Sequence, residues 1–183
     1  MRILITGGPG SGCTSTAASV GEFLSVPTFD SDTYFHKPTD PPFQEQYTPD
    51  ERRELLSAAL ASESSWILSG SVGSWQLMGL NFTHAVFLQI PRDERLNRLR
   101  RRQKAQFGSR IEPGGDMDEE HRSFLAWAAE YEDRLGSGRN FATDRVFAES
   151  NSRHFVALTE IEPLQKIVAR IVGFITNSRM HVV

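Results

Sequence analysis

The 183-residue sequence predicts an α/β domain, a five-stranded parallel sheet with helices on both faces. Three observations predict it. Short apolar runs alternate with longer helical segments from one end of the chain to the other. Two of those runs, Arg2 to Thr6 and Ala85 to Ile90, are close to continuously apolar, as suits strands covered on both faces. Polar and glycine-rich clusters follow the first three runs, where such sheets bind their ligands.

Taken in order, Arg2 to Thr6 forms the first strand and Thr14 to Leu24 the first helix, with Ala17, Ala18, Val20, Phe23 and Leu24 as its inward face. Val26 to Phe29 is a brief second strand ending at Asp30-Ser31-Asp32. Tyr34 to Tyr47 holds three prolines and reads as an irregular excursion. Thr48-Pro49-Asp50-Glu51 spells a capping box with proline at the first helical position, and Leu55, Leu56, Ala59 and Leu60 supply that helix with a buried stripe. Trp66 to Ser69 is the third strand and Ala85 to Ile90 the fourth. Pro91 opens a basic helix whose apolar contacts are Leu96 and Leu99. Gly108 to Gly115 reads as a flexible connection, followed by helices over Asp118 to Arg134 and around Asn140 to Glu149. Phe155 to Leu158 is the fifth strand. Leu164, Ile167, Val168, Ile171 and Val172 mark a closing helix, and the tail after Asn177 is expected to be loose. The expected organisation is one domain over residues 1–176, with an excursion at about 31–62, a lid-like segment at about 98–118 and a tail at 177–183.

A net charge of −3 argues against general nucleic-acid binding. The chain enters a strand at once, without a basic segment leading into a long apolar one, and no apolar run approaches the roughly 18 residues of a membrane span. A single cysteine, Cys13, excludes an internal disulfide. A cytoplasmic enzyme or binding protein is expected. Lysine occurs only at positions 37, 104 and 166.

Between the first strand and first helix lies Gly7-Gly8-Pro9-Gly10-Ser11-Gly12-Cys13-Thr14-Ser15. This is the layout GxxxxGK[ST] of a P-loop, with Gly7 and Gly12 at the fixed glycines and Thr14 at the hydroxyl position. Its glycines let successive backbone N–H groups converge beside a helix amino terminus, and phosphate is the natural guest. No GxGxxG dinucleotide fingerprint fits these residues without losing its last glycine. One residue departs from the pattern: Cys13 stands where lysine belongs. A thiol cannot reach and neutralise the outer phosphates as lysine does. Phosphate binding is therefore expected of Gly7 to Ser15, while catalysis stays open. At a helix amino terminus, Cys13 is also expected to have a lowered pKa, with an incidental thiol as the plainer reading.

Asp30 and Asp32 fall after the second strand, on the same sheet edge. One could hold magnesium beside the Thr14 hydroxyl, and the other could orient an acceptor hydroxyl or take its proton. The alternative is that one of them caps the next helix. Gly70 and Ser71 end the third strand at the same edge.

The order of P-loop, Asp-x-Asp, Gly-rich end of the third strand and Arg-rich segment after the fourth resembles the adenylate kinase and shikimate kinase group of small-molecule kinases. More closely, the chain resembles bacterial adenylate kinase-like proteins of undefined activity, whose P-loops also lack the lysine. The likeness rests on Phe29-Asp30-Ser31-Asp32-x-Tyr34-Phe35, Pro38-Thr39-Asp40-Pro41-Pro42-Phe43, Trp66-Ile67-Leu68-Ser69-Gly70-Ser71 and Arg110-Ile111-Glu112-Pro113-Gly114-Gly115-Asp116-Met117. It implies the three-layer αβα P-loop NTPase fold, with strand order 2-3-1-4-5. It also implies ATP or GTP with Mg2+, and a nucleoside or nucleotide as acceptor. Residues Gly7 to Ser15 would bind the phosphates, Thr14 and Asp30 the metal, and Asp32, Tyr34, Gly70 and Ser71 the acceptor. Arg98 and Arg102, on one helical face at i,i+4, resemble the pair that stabilises the transferring phosphoryl group. Arg95, Arg100 and Arg101 are then expected to be mostly solvated.

Two further readings stay open. A non-catalytic nucleotide-binding sensor would keep the loop and dispense with the lysine. An RNA-associated protein would use the arginine helix, although no aromatic platform is interleaved with it. Lys37 is expected to be an ordinary solvated residue. Tyr34, Phe35 and Phe43 either line an acceptor pocket or pack the loop down, and His121 and Trp127 are expected to serve packing.

Overall fold

The computed structural model describes residues 1–77 and 79–179. Its elements are β1 (Arg2–Gly7), α1 (Cys13–Leu24), β2 (Thr28–Asp30), α2 (Ser31–Phe35), α3 (Pro49–Ala61), β3 (Trp66–Ser69) and β4 (Phe82–Leu88). There follow α4 (Arg92–Phe107), a 3-10 turn (Gly108–Ile111), α5 (Asp118–Ala129), α6 (Phe141–Ser150), β5 (Ser152–Leu158) and α7 (Leu164–Arg179). All five strands pair in parallel in the order β2-β3-β1-β4-β5.

The alternation of side chains along β1 builds two cores. Ile3 and Ile5 point toward α1 and α7, packing with Ala17, Val20, Ile167 and Ile171. Leu4 points the other way, into a cluster with Leu56 and Leu60 of α3 and Ala148 of α6. A smaller group, Leu96, Leu99 and Ala128, joins α4 to α5. With apolar cover on both sides, β1 runs from one buried layer to the other and delivers its carboxyl end, Thr6-Gly7, to a polar edge. The capping box at Thr48 forms as its sequence predicts: the Thr48 hydroxyl accepts from the Glu51 N–H and the Glu51 carboxylate accepts from the Thr48 N–H at 2.6 Å.

Several boundaries differ from the sequence expectation. Strands β4 and β5 begin three residues earlier, at Phe82 and Ser152, because pairing continues through Phe82↔Ser152 and His84↔His154. Polar side chains there interrupt the apolar run that periodicity detects. Phe23 is 68% and Leu55 42% exposed. Burial in α1 follows Ala17, Val20 and Gly21 at i, i+3 and i+4, and Ala18 and Phe23 fall off that stripe. In α3, Leu56 and Leu60 hold the inward line and leave Leu55 on the flank. α5 ends at Ala129, five residues short of Arg134. The expected loose tail is helical through Arg179, since Ile171 and Ile175 anchor α7 to the core; positions 180–183 lie outside the described residues. The flexible connection expected at Gly108 to Gly115 instead forms the 3-10 turn, and Arg110 pairs there with Asp116 and with Asp40 of the proline-rich excursion. Among the described residues, no helix is long and apolar enough to cross a membrane.

Candidate functional site

A cleft of ≈ 380 Å³ opens at the carboxyl edge of the sheet. The loop from Gly8 to Ser15, with Asp30, Asp32, Gly70, Arg98 and Arg102, lines it. These residues come from the ends of β1, β2 and β3 and from α1, α2 and α4, and the fold brings them together. Gly7, Tyr34 and Ser71 do not line it.

The loop is shaped by its glycines and held from behind. Gly12 is the N-cap of α1 at φ 94°, with no side chain capping the helix, so the first N–H groups of α1 stay available to a ligand. The Ser11 N–H donates to the Gly8 carbonyl at 3.0 Å, closing the turn. A Cβ on Gly8 would lie 2.8 Å from the Tyr131 ring, so only glycine fits there. Arg95, expected to be solvated, is instead 1% exposed. Its Nη1 donates to the Pro9 carbonyl at 2.8 Å and its Nη2 to Glu132 at 2.5 Å, and its guanidinium lies 5.2 Å from the Tyr131 ring centroid. A run of arginines on one helix cannot reveal which member turns inward. The loop's need for a donor behind it decides that here.

Cys13 overturns the expectation of a lowered pKa. Its side chain packs against the core beneath β1, and its sulfur lies 3.2 Å from the Ser11 hydroxyl. Burial pushes the thiol up to about 11, against the opposing pull of the Ser11 hydroxyl and the Arg139 charge. Desolvation of the thiolate outweighs the helix amino terminus. The shift works against formation of a reactive thiolate, although the residue itself is part-buried on the cleft wall.

On the acceptor side, Asp30 is the N-cap of α2 and accepts from the Asp32 N–H at 3.0 Å through Oδ1. The short helix itself was not legible as more than a loop. Asp30 and Asp32 both face the cleft, and Thr14 is exposed at the start of α1. One hydroxyl, one or two carboxylates and phosphate oxygens suit magnesium, which keeps several waters and does not need an all-protein cage. The residues present therefore fit the metal. Tyr34 packs with Leu56, Trp66 and Trp75 in the core, and Ser71 is buried with its hydroxyl donating to Asp144 Oδ1 at 2.5 Å. Neither lines the cleft.

Arg98 is tied by Nε to Glu94 at 2.7 Å and by Nη1 to the Ser11 carbonyl at 3.4 Å, while Arg102 is exposed. On the far side of the cleft stand Glu162, Leu164 and Ile167. Lys37 lies 5.5 Å from the Tyr47 ring centroid and does not line the cleft. His121 pairs with Gln103 at 2.6 Å, and Trp127 stacks on Phe124, a cleft residue.

The chief surprise is Arg139, which precedes α6 and reaches across to the P-loop. It lines the cleft, and its Nη2 donates to the Gly7 carbonyl at 3.4 Å. Its Nε is 4.0 Å from the buried Asp144 carboxylate. Asp144 also accepts from the Tyr131 hydroxyl at 2.9 Å. Burial raises the Asp144 pKa, while Arg139, Ser71 and Tyr131 draw it down, and burial beside Asp144 raises that of Tyr131. The signal for this cluster in the sequence was weak: an isolated Arg-Asn pair at a helix start, 125 residues beyond Thr14.

The sequence is 35% identical over 132 residues, 72% of this chain and 72% of its relative, to the uncharacterized protein YqaC of Bacillus subtilis (strain 168). No family model matches it. Among solved structures, the shikimate kinase of Aquifex aeolicus vf5 aligns at a TM-score of 0.53 and 17% identity, over 99% of both chains. The shikimate kinase of Acinetobacter baumannii, in complex with shikimate, aligns at 0.55 and 15%, over 97% of this chain and 93% of that one. The fold is thus the shikimate kinase-like P-loop α/β fold, with the strand order that the sequence predicts.

Proposed function

This chain belongs to the family of Bacillus subtilis YqaC, and on that premise we propose that it is a phosphotransferase using Mg·ATP or Mg·GTP. The acceptor is a small molecule, with a nucleoside or nucleotide favoured by the likeness to adenylate kinase-like proteins. One observation carries this reading: the glycine-rich loop, the Thr14 hydroxyl, Asp30, Asp32 and the arginines Arg98, Arg102 and Arg139 share one cleft.

The chemistry of phosphoryl transfer is mostly positioning and charge compensation. Backbone N–H groups from Gly8 to Thr14 would cradle the β-phosphate. Thr14 and Asp30 would hold the magnesium ion, which neutralises charge on the phosphates when bound. Asp32 would orient the acceptor hydroxyl and take its proton. Arg98 and Arg102 would sit over the transferring group, with Arg98 held in place by Glu94.

Calorimetric titration of the reduced protein with Mg·ATP, followed by a screen of hydroxyl and phosphate acceptors for transfer, tests the proposal. Binding together with transfer to a nucleoside or nucleotide is the expected result. Binding without transfer to any acceptor would favour a nucleotide sensor, the reading that the neutral Cys13 thiol supports. No binding by either the natural protein or Cys13→Lys would sink the nucleotide reading.

A further inference from the structure

We infer that Arg139 takes the place of the missing P-loop lysine as the fixed cation for the outer phosphates, an inference that rests on the nucleotide reading of the cleft. The lysine at position 13 would project from the first residue of α1 toward the space at the end of β1. In this chain that position carries a short, part-buried thiol. The thiol nevertheless feels three charges, those of Arg139, Asp144 and Asp30. Arg139 lines the same cleft as Cys13 and reaches the Gly7 carbonyl at 3.4 Å, so a guanidinium from a different segment of the chain shares the space that the lysine would serve.

Three features make Arg139 a built element. Its Nη2 touches the Gly7 carbonyl, the fixed first glycine of the loop. Its head is steered by Asp144, which is 2% exposed and is itself fixed by Ser71 and Tyr131. Its Nε is buried at 4.0 Å from the Asp144 carboxylate, while the residue itself lines the cleft. Tyr131 connects the arrangement to the loop from below, since its ring also supports Gly8 and lies against Arg95.

The alternatives on the same wall fit less well. Arg98 has its Nε committed to Glu94 and its Nη1 to the Ser11 carbonyl, so two of its donors are already taken. Arg102 is exposed and its charge is screened by solvent. The cation that lines the cleft and touches the first fixed glycine of the loop is Arg139.

The test is a cycle of Mg·ATP affinities, measured by calorimetry, for the natural protein, Arg139→Gln, Cys13→Lys and the double variant. Thermal midpoints without nucleotide are recorded for each. Arg139→Gln should weaken Mg·ATP roughly tenfold or more, the worth of a charge-assisted phosphate contact. In the Cys13→Lys background the same change should cost no more than about threefold, because the cation has been restored. Arg139→Lys, which keeps the charge and protects the test should the glutamine variant unfold, should bind within about threefold of the natural protein. Unchanged affinity in Arg139→Gln, an undiminished loss in the Cys13→Lys background, or a rescue confined to the thermal midpoint would overturn the inference while leaving the nucleotide reading intact. Absence of binding in both the natural protein and Cys13→Lys would overturn both.

Discussion

Arg95 Nη1 donates to the carbonyl of Pro9 at 2.8 Å, from a side chain 1% exposed. The helix after the fourth strand thus props the P-loop from behind. Replacing Arg95 by leucine removes that donor and leaves the Glu132 carboxylate, which is partly exposed, without its 2.5 Å partner. The expected loss is about 2–3 kcal/mol of folding stability, below that of a fully buried pair because water reaches Glu132. Mg·ATP affinity should fall with it, since the loop loses its backing. Urea denaturation and calorimetry together read this. Full nucleotide affinity in a folded Arg95→Leu protein would show that the loop stands unaided.

Gly8 and Gly12 separate two reasons for glycine in one loop. At Gly8 the obstacle is space, because an added Cβ meets the Tyr131 ring at 2.8 Å and Arg95 Nε at 3.0 Å. At Gly12 the surroundings are open, with Arg98 Nη1 at 3.9 Å, and the obstacle is the left-handed backbone at φ 94°. Gly8→Ala should therefore displace Tyr131 and Arg95 at a cost of about 1–3 kcal/mol. Gly12→Ala should cost about 1–2 kcal/mol through backbone strain, with Tyr131 undisturbed. Tyrosine fluorescence or ring NMR signals, alongside denaturation, distinguish the two. Equal perturbation of Tyr131 in both variants would contradict the division.

The fold was legible because its signals are local and repeated. Apolar runs, one capping box and the glycine turn each announce themselves within a dozen residues, and together they specify a parallel sheet. The cleft's front was legible for the same reason, since Gly8 to Ser15, Asp30 and Asp32 sit directly after strands. Its back was not. Arg95 looks like its exposed neighbours Arg100 and Arg101, and only the Pro9 carbonyl singles it out. Arg139 and Asp144 lie far along the chain, and their relation to Gly7 exists only after α6 has packed on β1 and β4. Cys13 misled in a different way: the helix terminus is visible in sequence, whereas the depth of the thiol beneath it is not.

Cys13 should behave as a weakly ionised thiol. With its pKa pushed up from 9.0 to about 11, its thiolate at pH 8 is roughly a hundredfold scarcer than that of an ordinary cysteine. Alkylation by iodoacetamide should be slow at neutral pH and keep accelerating as pH rises through 9 towards about 11. The sign for stability follows from the same shift. The fold favours the neutral thiol, so this contribution is complete below about 9 and is lost as pH climbs toward about 11. Rapid modification of the folded protein at neutral pH would refute the raised pKa.

Arg98 and Arg102 should contribute unequally. Arg98 is anchored by Glu94 and touches the Ser11 carbonyl, so it meets a ligand already oriented, whereas Arg102 must be immobilised from solvent. Arg98→Ala should weaken Mg·ATP binding or slow transfer by roughly tenfold or more, and Arg102→Ala by a smaller factor. Glu94→Gln should reproduce part of the Arg98 effect. Identical kinetics in all three variants would remove these arginines from the phosphate site.

Asp30 has two separable duties. It caps α2 through the Asp32 N–H, and in the proposed function it also holds magnesium beside Thr14. Asparagine caps a helix about as well as aspartate but is a poor magnesium ligand, since it brings no charge. Asp30→Asn should therefore leave stability within about 0.5 kcal/mol of the natural protein while reducing the gain in ATP affinity that magnesium confers. Asp30→Ala should lose both, with a stability cost of about 1 kcal/mol from the missing cap. Thr14→Val should match the magnesium defect of Asp30→Asn without touching α2. The measurement is ATP titration with and without magnesium on the three variants, next to denaturation curves. If Asp30→Asn responded to magnesium as the natural protein does, Asp30 would be a cap alone, and Asp32 would be the carboxylate left in the cleft to take the metal.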